Sequence, residues 1–331
     1  MKRVGNLWLK VVSFPNLLDA AHKAAKGKKQ SAGVARFMAN LEPEILKLQR
    51  ELETGAWMPG TPFCFEIHDP KTRTISAAPF RDRVVHHALI APLEPIFERR
   101  MIHTSYACRK GKGQLAALKK AQQLLRQHDR FVKLDIRRCF PSMRHDVVLE
   151  TLANTVKDQR VLSLCERLVR FGGDDVGLPI GNLTSQWFAN LVMDRLDHFV
   201  KDQLGVTGYL RYMDDFVLFA DDKNELAEHL KQVAQFLHDV LGLRVKEQAT
   251  IHGPARIGLP FLGWHIHRGL MRLRPENLRR SKWRLRLRHW EHRQGWISEE
   301  ELADCTRSVI AHLRCGSTIE LRRKWPWPSL E

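Results

Sequence analysis

Long apolar runs are missing from this 331-residue chain. No stretch approaches the roughly 18–20 residues that a bilayer span requires, which excludes a membrane-spanning class and leaves no membrane partner to expect. Paired cysteines are missing as well. Cys64, Cys108, Cys139, Cys165, Cys305 and Cys315 are scattered without a C-x-x-C pair, which argues against a zinc ribbon and a disulfide framework. There is no internal repeat and no low-complexity linker. The start, MKRVGNLWLKVV, is basic and then apolar, but Lys10 interrupts it and no small-residue cleavage site follows, so a signal peptide is not expected. A reducing cytoplasm is the expected compartment. The sixteen histidines, His86-His87, His265/His267 and His289/His292 among them, sit at no metal-ligand spacing with acids or thiols.

Acid is also in short supply. Lys plus Arg number 54 against 37 Asp plus Glu, a net charge of +17 with a pI near 9.9. Such an excess attracts polyanions, nucleic acid first among them. With 44% hydrophobic and 27% charged residues the chain reads as folded, and it is long enough to bury a sizeable core.

Residues 14–55 read as helical, with Phe37, Leu41, Ile45, Leu48 and Leu52 at three- and four-residue spacing. Lys23, Lys26, Lys28 and Lys29 form a basic cluster between two such helices. TPFCFEIH and TRTISAAP flank Asp69-Pro70-Lys71, which predicts a β-hairpin over 61–80. A helix through Val84, Val85, Ala88 and Leu89 follows. RFVKLDI is a strand ending near Pro141. Helices across about 142–172 and 182–203 come next, then the hairpin GYLRYMDDFVLFA, a helix near 224–241, and short strands around 243–252 and 261–267. From about 275 the pattern is helical and very basic. This order predicts an α+β layer, with helices on one face of a small antiparallel sheet.

Acids stand out where the strands end. Asp214 and Asp215 lie between Tyr209-Leu210 and Phe216–Phe219, at the tip of an apolar hairpin. Two adjacent carboxylates there repel each other and lose hydration, a penalty that a divalent cation reverses. An isolated Asp-Asp in a turn is ordinary. Asp135, however, ends the strand Phe131–Leu134 in the same way and could face Asp214. Few carboxylates plus substrate phosphates is how magnesium is held in polymerases, and two such ions can clamp an in-line displacement.

These residues also carry a resemblance. Tyr212-Met213-Asp214-Asp215 resembles the Y-x-D-D box of reverse transcriptases. In order along residues 60–270, PFRDRVVHHAL (79–89), SYACRKGKG (105–113), FVKLDIRRCFPSM (131–143), GLPIGNLTSQWFANLVMDRLD (177–197) and PFLGW (260–264) resemble further blocks of the bacterial enzymes. The resemblance implies a right-hand polymerase fold of fingers, palm and helical thumb. It divides the chain into an N-terminal helical extension (1–60), fingers (61–128), a palm (129–270, finger helices inserted about 142–185) and a basic thumb (271–331). Ile180-Gly181-Asn182-Leu183-Thr184-Ser185-Gln186 is similar to the diversity-generating retroelement enzymes, which implies error-prone cDNA synthesis opposite template adenines and a small helical-bundle accessory protein in a prokaryotic cytoplasm. A defence-associated bacterial enzyme copying its own noncoding RNA is the main alternative, and an inactive maturase-like RNA-binding scaffold a distant one.

What the resemblance implies for single residues is specific. Asp135, Asp214 and Asp215, with the Ile136 carbonyl, would hold two Mg2+ ions, for which Mn2+ could substitute. Arg73, assisted by Lys71, would bind the triphosphate of the incoming dNTP, since a guanidinium fork suits phosphate. Phe140 matches a steric gate against ribonucleotides. Ile180 and Gly181 would line the nucleotide site, with Ile180 standing where relatives carry a polar side chain. Gln186 would touch the template; Phe261, Leu262 and Gly263 would form the primer grip; and Lys246 is a candidate general acid for the departing pyrophosphate. Residues 272–293 hold few acids and interleave Trp283 and Trp290 with bases. Arg279, Arg280, Lys282, Arg284, Arg286 and Arg288 would track the phosphates of structured template RNA and the RNA–cDNA duplex.

Overall fold

In a computed structural model the described residues are 2–28, 31–68, 72–171 and 173–323. Four helices come first: α1 (Trp8–Val12), α2 (Phe14–Ala25), α3 (Ala32–Ala39) and α4 (Leu41–Glu53). α2 packs along α5 (Phe80–Arg100), and the shared apolar core runs without a break from Leu7 to Leu243. Between α4 and α5, strands β1 (Phe63–Ile67) and β2 (Arg73–Ala77) pair antiparallel, as the turn-flanked pattern predicts; Asp69, Pro70 and Lys71 lie outside the described residues.

Helix α6 (Gln114–Gln127) leads into β3 (Arg130–Asp135), the hub of the main sheet. Helices α7 (Cys139–Ser142), α8 (His145–Ala153), α9 (Gln159–Val169) and α10 (Leu183–His198) separate β3 from the hairpin β4 (Gly208–Tyr212) and β5 (Asp215–Ala220). After α11 (Lys223–Asp239), β6 (Ile251–Pro254) completes a four-stranded antiparallel sheet of order β4-β5-β3-β6. Residues 243–250, expected as strand, form instead a single bridge at Val245 and a 3-10 turn at Glu247–Ala249.

The sheet is covered on both faces, not on one. Side chains alternate along a strand, so one residue in two points to each face. Val132, Leu134, Tyr209, Phe216 and Leu218 enter the core formed with α10 and α11. Phe131, Leu210, Val217 and Phe219 enter a second core. That core holds Leu118, Ala121 and Leu125 of α6 and the short sheet β7 (Leu259–Phe261), β8 (Trp264–Ile266) and β9 (Met271–Leu273). The run YLRY/FVLF is apolar on both sides for this reason, as is normal for a strand buried twice.

Helix α10 lies in the middle: 12 of its 16 residues are buried, the polar Asn190, Asp194 and Asp197 included. The chain ends in α12 (Pro275–Arg293), α13 (Glu299–Leu313) and α14 (Ile319–Arg323). Leu278, Leu285, Val309 and Leu313 join α12 to α13 in a small core of their own. The tail is less uniformly basic than expected, because α13 opens with Glu299, Glu300 and Glu301 and a Ser298/Glu301 capping box.

Candidate active site

Strand register brings the three acids together. Asp135, the last residue of β3, stands directly opposite Asp215, the first of β5, and Asp215 in turn pairs with Tyr212 of β4. Directly opposed residues of an antiparallel pair have Cα atoms about 4.5–5.5 Å apart and share a face. Asp214 is the second residue of the two-residue turn between β4 and β5. Met213, the first, has φ of +59°, which matches a II′ turn that ordinarily takes Gly at this place. The backbone strain of a non-Gly residue in the left-handed region is of order 1–2 kcal/mol and persists only where surroundings impose it.

Arg211 imposes it. Its side chain is 0% exposed beneath the turn, and its Nη1 donates to the Met213 carbonyl at 3.0 Å. The Asp197 carboxylate of α10 accepts from Arg211 Nε and Nη2, both at 2.7 Å. Asn190 Oδ1 and Ser105 Oγ accept the remaining guanidinium bonds at 2.9 and 3.0 Å, and Tyr209 donates its hydroxyl to Asp197 at 2.7 Å. The Arg211 backbone donates to Thr104 O and accepts from Tyr106 N, so the 104–106 loop is laced to the same strand. Burial alone would lower the Arg211 pKa; the Asp197 carboxylate outweighs it and keeps the guanidinium charged. A buried, charge-assisted network of this kind is costly unless satisfied and rigid once it is.

Above it the electrostatics are unbalanced. Burial, then the Asp215 and Asp135 carboxylates, push the Asp214 carboxyl up to about 6, while Arg73 pulls it down. Lys133, two residues before Asp135 on the same strand face, places its ammonium 2.7 Å from Asp215 Oδ1. Among the described residues neither Asp135 nor Asp214 has an ion-pair partner. Nor is any group of three His, Cys, Asp or Glu side chains among them arranged to hold a metal ion. Two oxygen donors with unneutralised charge and a third tethered to Lys133 still suit a hard cation that completes its shell with substrate phosphates and water.

The other expected residues fall into three groups. Arg73 opens β2, exposed, with its charge felt at Asp214. Ile180 accepts a backbone bond from Ser76 N at 2.8 Å, docking the 177–182 loop on β2. Gly181 has φ of +117°, which favours glycine, and a Cβ there would also be crowded, 3.0 Å from Ile75 Cγ2 and 3.2 Å from Ser76 O. Phe140 is half-buried on α7, within the turn that follows Asp135. Gln186 on α10 accepts from the Cys108 thiol at 3.6 Å. Cys108 also raises the Tyr212 hydroxyl pKa, after burial. Lys71 lies outside the described residues.

A second group surrounds the β7–β8 turn. Phe261 is 1% exposed, so its ring supports the turn from the core, while Leu262 and Gly263 are partly exposed. Both of those residues have positive φ, the I′ pattern. Gln114 Nε2 and Asn277 Nδ2 donate to their carbonyls at 2.8 and 3.0 Å. The turn borders a cavity of about 590 Å³ that Arg280 and Ser281 also line. Lys246 forms the third group: its backbone N–H donates to the Asp135 carbonyl at 2.8 Å, next to the Ile136–Val245 bridge. Arg279, Arg280, Lys282, Arg284, Arg286 and Arg288 all lie on α12, with Arg288 paired to Glu291 at 2.7 Å.

Sequence reasoning missed Arg211, Asp197, Asn190, Ser105 and Lys133. A signal existed. Arg211 interrupts an apolar strand two residues before the turn, and Asp194 and Asp197 follow the apolar run Leu191-Val192-Met193 on one helix.

Comparison with known proteins follows this geometry. The family model described as reverse transcriptase (RNA-dependent DNA polymerase) matches residues 67–266, more than half of the chain. A protein of COX1/OXI3 intron 1 of Saccharomyces cerevisiae is 27% identical over 62% of this chain and 26% of its own length. Protein YkfC of Escherichia coli is 23% identical over 78% of this chain and 82% of its own. The group II intron-encoded protein LtrA of Lactococcus lactis is 24% identical over 48% of this chain and 28% of its own. The chain thus spans about a quarter of the intron-encoded relatives it matches. Among solved structures, telomerase from Candida albicans aligns with a TM-score of 0.48 at 12% identity, covering 69% of this chain and 46% of that one.

Proposed function

We propose, for a chain that belongs to the reverse transcriptase family, that it is an active RNA-directed DNA polymerase using Asp135, Asp214 and Asp215 as its metal-binding acids. The observation that carries this is the register: Asp135 faces Asp215, with Asp214 on the adjoining turn above a fully bonded Arg211. Enzymes of this family generally use divalent metal ions. When bound, two Mg2+ ions would stabilise charge on the attacking and leaving oxygens. Mn2+ is the expected substitute.

The protein groups then divide the remaining work. Asp135 and Asp214 would supply the principal carboxylate ligands, with the Ile136 carbonyl as a further oxygen donor. Lys133 holds Asp215 aside, so the third acid contributes charge and orientation more than direct ligation. Arg73 binds the triphosphate as a fork, and Lys71 assists it. Phe140 blocks a 2′-hydroxyl. Lys246, whose backbone N–H donates to the Asp135 carbonyl, would be the general acid for pyrophosphate. The Leu262–Gly263 turn grips the primer end, and α12 follows the duplex.

The finer reading is an error-prone enzyme of a diversity-generating retroelement, working with structured template RNA and a helical-bundle accessory protein in a bacterial cytoplasm. Ile180 supports it: an aliphatic side chain donates no hydrogen bond where relatives place a polar one, so geometric discrimination loosens. Copying a dedicated noncoding RNA in defence is the alternative role for the same chemistry. The intron-encoded relatives favour RNA binding under every reading.

Extension of a DNA primer on an RNA template tests the activity. Wild type extends in Mg2+, and Asp214→Ala loses at least about a thousandfold, equivalent to about 4 kcal/mol of transition-state stabilisation. A wild type that binds the template but never extends it refutes polymerisation and leaves a scaffold. Sequencing the product tests the subtype: errors concentrate opposite adenine and fall in Ile180→Gln. Equal error rates in the two proteins reject the role given to Ile180.

A further inference from the structure

Tryptophan is distributed unevenly between interior and surface. Of the described tryptophans, Trp8, Trp57, Trp187 and Trp264 are at most 9% exposed. Trp283, Trp290 and Trp296 are 63%, 42% and 67% exposed, and all three fall within or just after α12. Exposed indole rings in such density mark a contact surface more often than a solvated one.

Helical geometry orders them. At about 100° per residue, Leu278 and Leu285 fix the side of α12 turned to α13. Arg279, Trp283, Arg286, Trp290 and Arg293, spaced four, three, four and three residues apart, form one exposed stripe centred about 110° from it. Neither acid of the helix, Glu276 or Glu291, occupies a stripe position. Trp296 extends the stripe past the helix end, its ring edge-on to Trp290 at 4.8 Å.

The stripe does not face the primer turn. Glu276, Asn277, Arg280 and Ser281, which line the cavity beside Leu262 and Gly263, lie about 60–160° around the helix from the stripe's centre, none of them at a stripe position. A duplex lying in that cavity reaches the Arg280 side, not the stripe.

We infer that the Arg279–Trp283–Arg286–Trp290–Arg293 stripe is a second nucleic-acid surface, which holds single-stranded RNA outside the polymerase cleft. The chemistry favours this occupant. Arginines alternating with flat, exposed rings match a strand whose phosphates and unstacked bases alternate, and every base offers a face to stack on. A-form duplex, with its bases stacked inside, offers the rings nothing. The inference does not depend on catalysis by the carboxylates.

The test uses the full chain and two RNA–DNA primed duplexes, one trimmed to the duplex and one carrying a 20-nucleotide single-stranded RNA tail. Wild type should bind the tailed form at least about a hundredfold more tightly, about tenfold for each of two stacked bases, and its tryptophan emission should be quenched by the tail. In Trp283→Ala/Trp290→Ala the tail advantage should fall by about tenfold for each stacked base lost. In Arg279→Gln/Arg286→Gln/Arg293→Gln the slope of log K against log salt for the tailed form should shrink by about 2, at about 0.7 per phosphate released. Both variants should keep the wild-type Tm, and Trp283→Ala/Trp290→Ala should bind and extend the trimmed duplex within twofold. Asp214→Ala should lose extension and keep the tail advantage, which separates this surface from the catalytic reading. The inference is overturned if the tail advantage survives both variants. It is overturned equally if the trimmed duplex weakens as much as the tailed one in Trp283→Ala/Trp290→Ala, which would place the stripe in the cleft. Displacement of the tail by polyglutamate as readily as by oligo(rU) would also overturn it, in favour of an acidic protein partner.

Discussion

The Tyr212–Asp215 turn and helix α12 are both charged, both essential to the reading of this chain, and built in opposite ways. The turn rests on a guanidinium with 0% exposure whose partners come from α10, the 104–107 loop and the turn itself. Helix α12 buries one residue, Leu285, and leaves Arg279, Arg284, Arg286 and Arg293 exposed. Catalysis needs groups held to fractions of an ångström, so it recruits a buried polar network that fails if any member is lost. Phosphate tracking needs only charge at roughly the right place, so its contributions are small and nearly additive.

Breaking the Arg211 network should therefore have the largest effect. Arg211→Met leaves Asp197 charged, buried and unpaired, and should cost about 3–5 kcal/mol in urea denaturation, with extension abolished. Adding Asp197→Leu and Tyr209→Phe removes the stranded polar groups and should recover most of that stability but none of the extension. Recovery of both would show that the network supplies only fold, not turn geometry.

Next in size is the burial of Asp214 beside the other two acids. The Asp214 carboxyl, about 6 in the folded protein, lies above the ~3.8 of an unfolded chain. The folded state thus holds its proton more tightly. The associated stability is present below pH ~3.8 and is lost as pH rises through 6, up to about 3 kcal/mol in total. Asp214→Asn should raise the Tm of the metal-free protein at pH 7 and flatten its decline between pH 4 and 7. Unchanged Tm profiles would mean that the carboxylates do not feel one another. His86, lowered to about 4 by burial, then by His87 and Arg83, works in the opposite sense, gaining stability as pH rises. The comparison must therefore be made between variant and wild type.

The smallest effects belong to α12. Arg284→Gln should reduce the salt slope of duplex binding by about 0.9 and leave the extension rate at saturating template unchanged. A loss of rate at saturation would show that this helix also positions the primer.

The same contrast decides what could be read in the sequence. Both hairpins, the strand before Asp135 and the basic helix were legible because apolar alternation, turn residues and charge density are local signals. Asp135, Asp214 and Asp215 were legible as acids ending apolar strands. Two faces on the sheet were not foreseen, because a strand such as YLRY that is buried twice shows no alternation, and only tertiary packing reveals α6 on the far side. Gly181 carried its motif, but its reason, close approach of Ile75 and Ser76, is a contact across about a hundred residues. Arg211 looked like one more base in a basic protein. Nothing local shows that α10 would bring Asp197 and Asn190 beneath it. Residues 243–250 misled because Leu243 and Val245 favour strand locally, while β3 offers that stretch only one bridge, at Ile136.

Manganese shows directly whether the acids do what is assigned to them. Crystals of the full chain with a primed RNA template and a dNTP, grown in Mn2+, should give anomalous peaks between the Asp135 and Asp214 carboxylates, with Asp215 alongside and the triphosphate on the far side. Manganese bound elsewhere, with Asp135 and Asp214 turned apart around an empty space, would contradict the account.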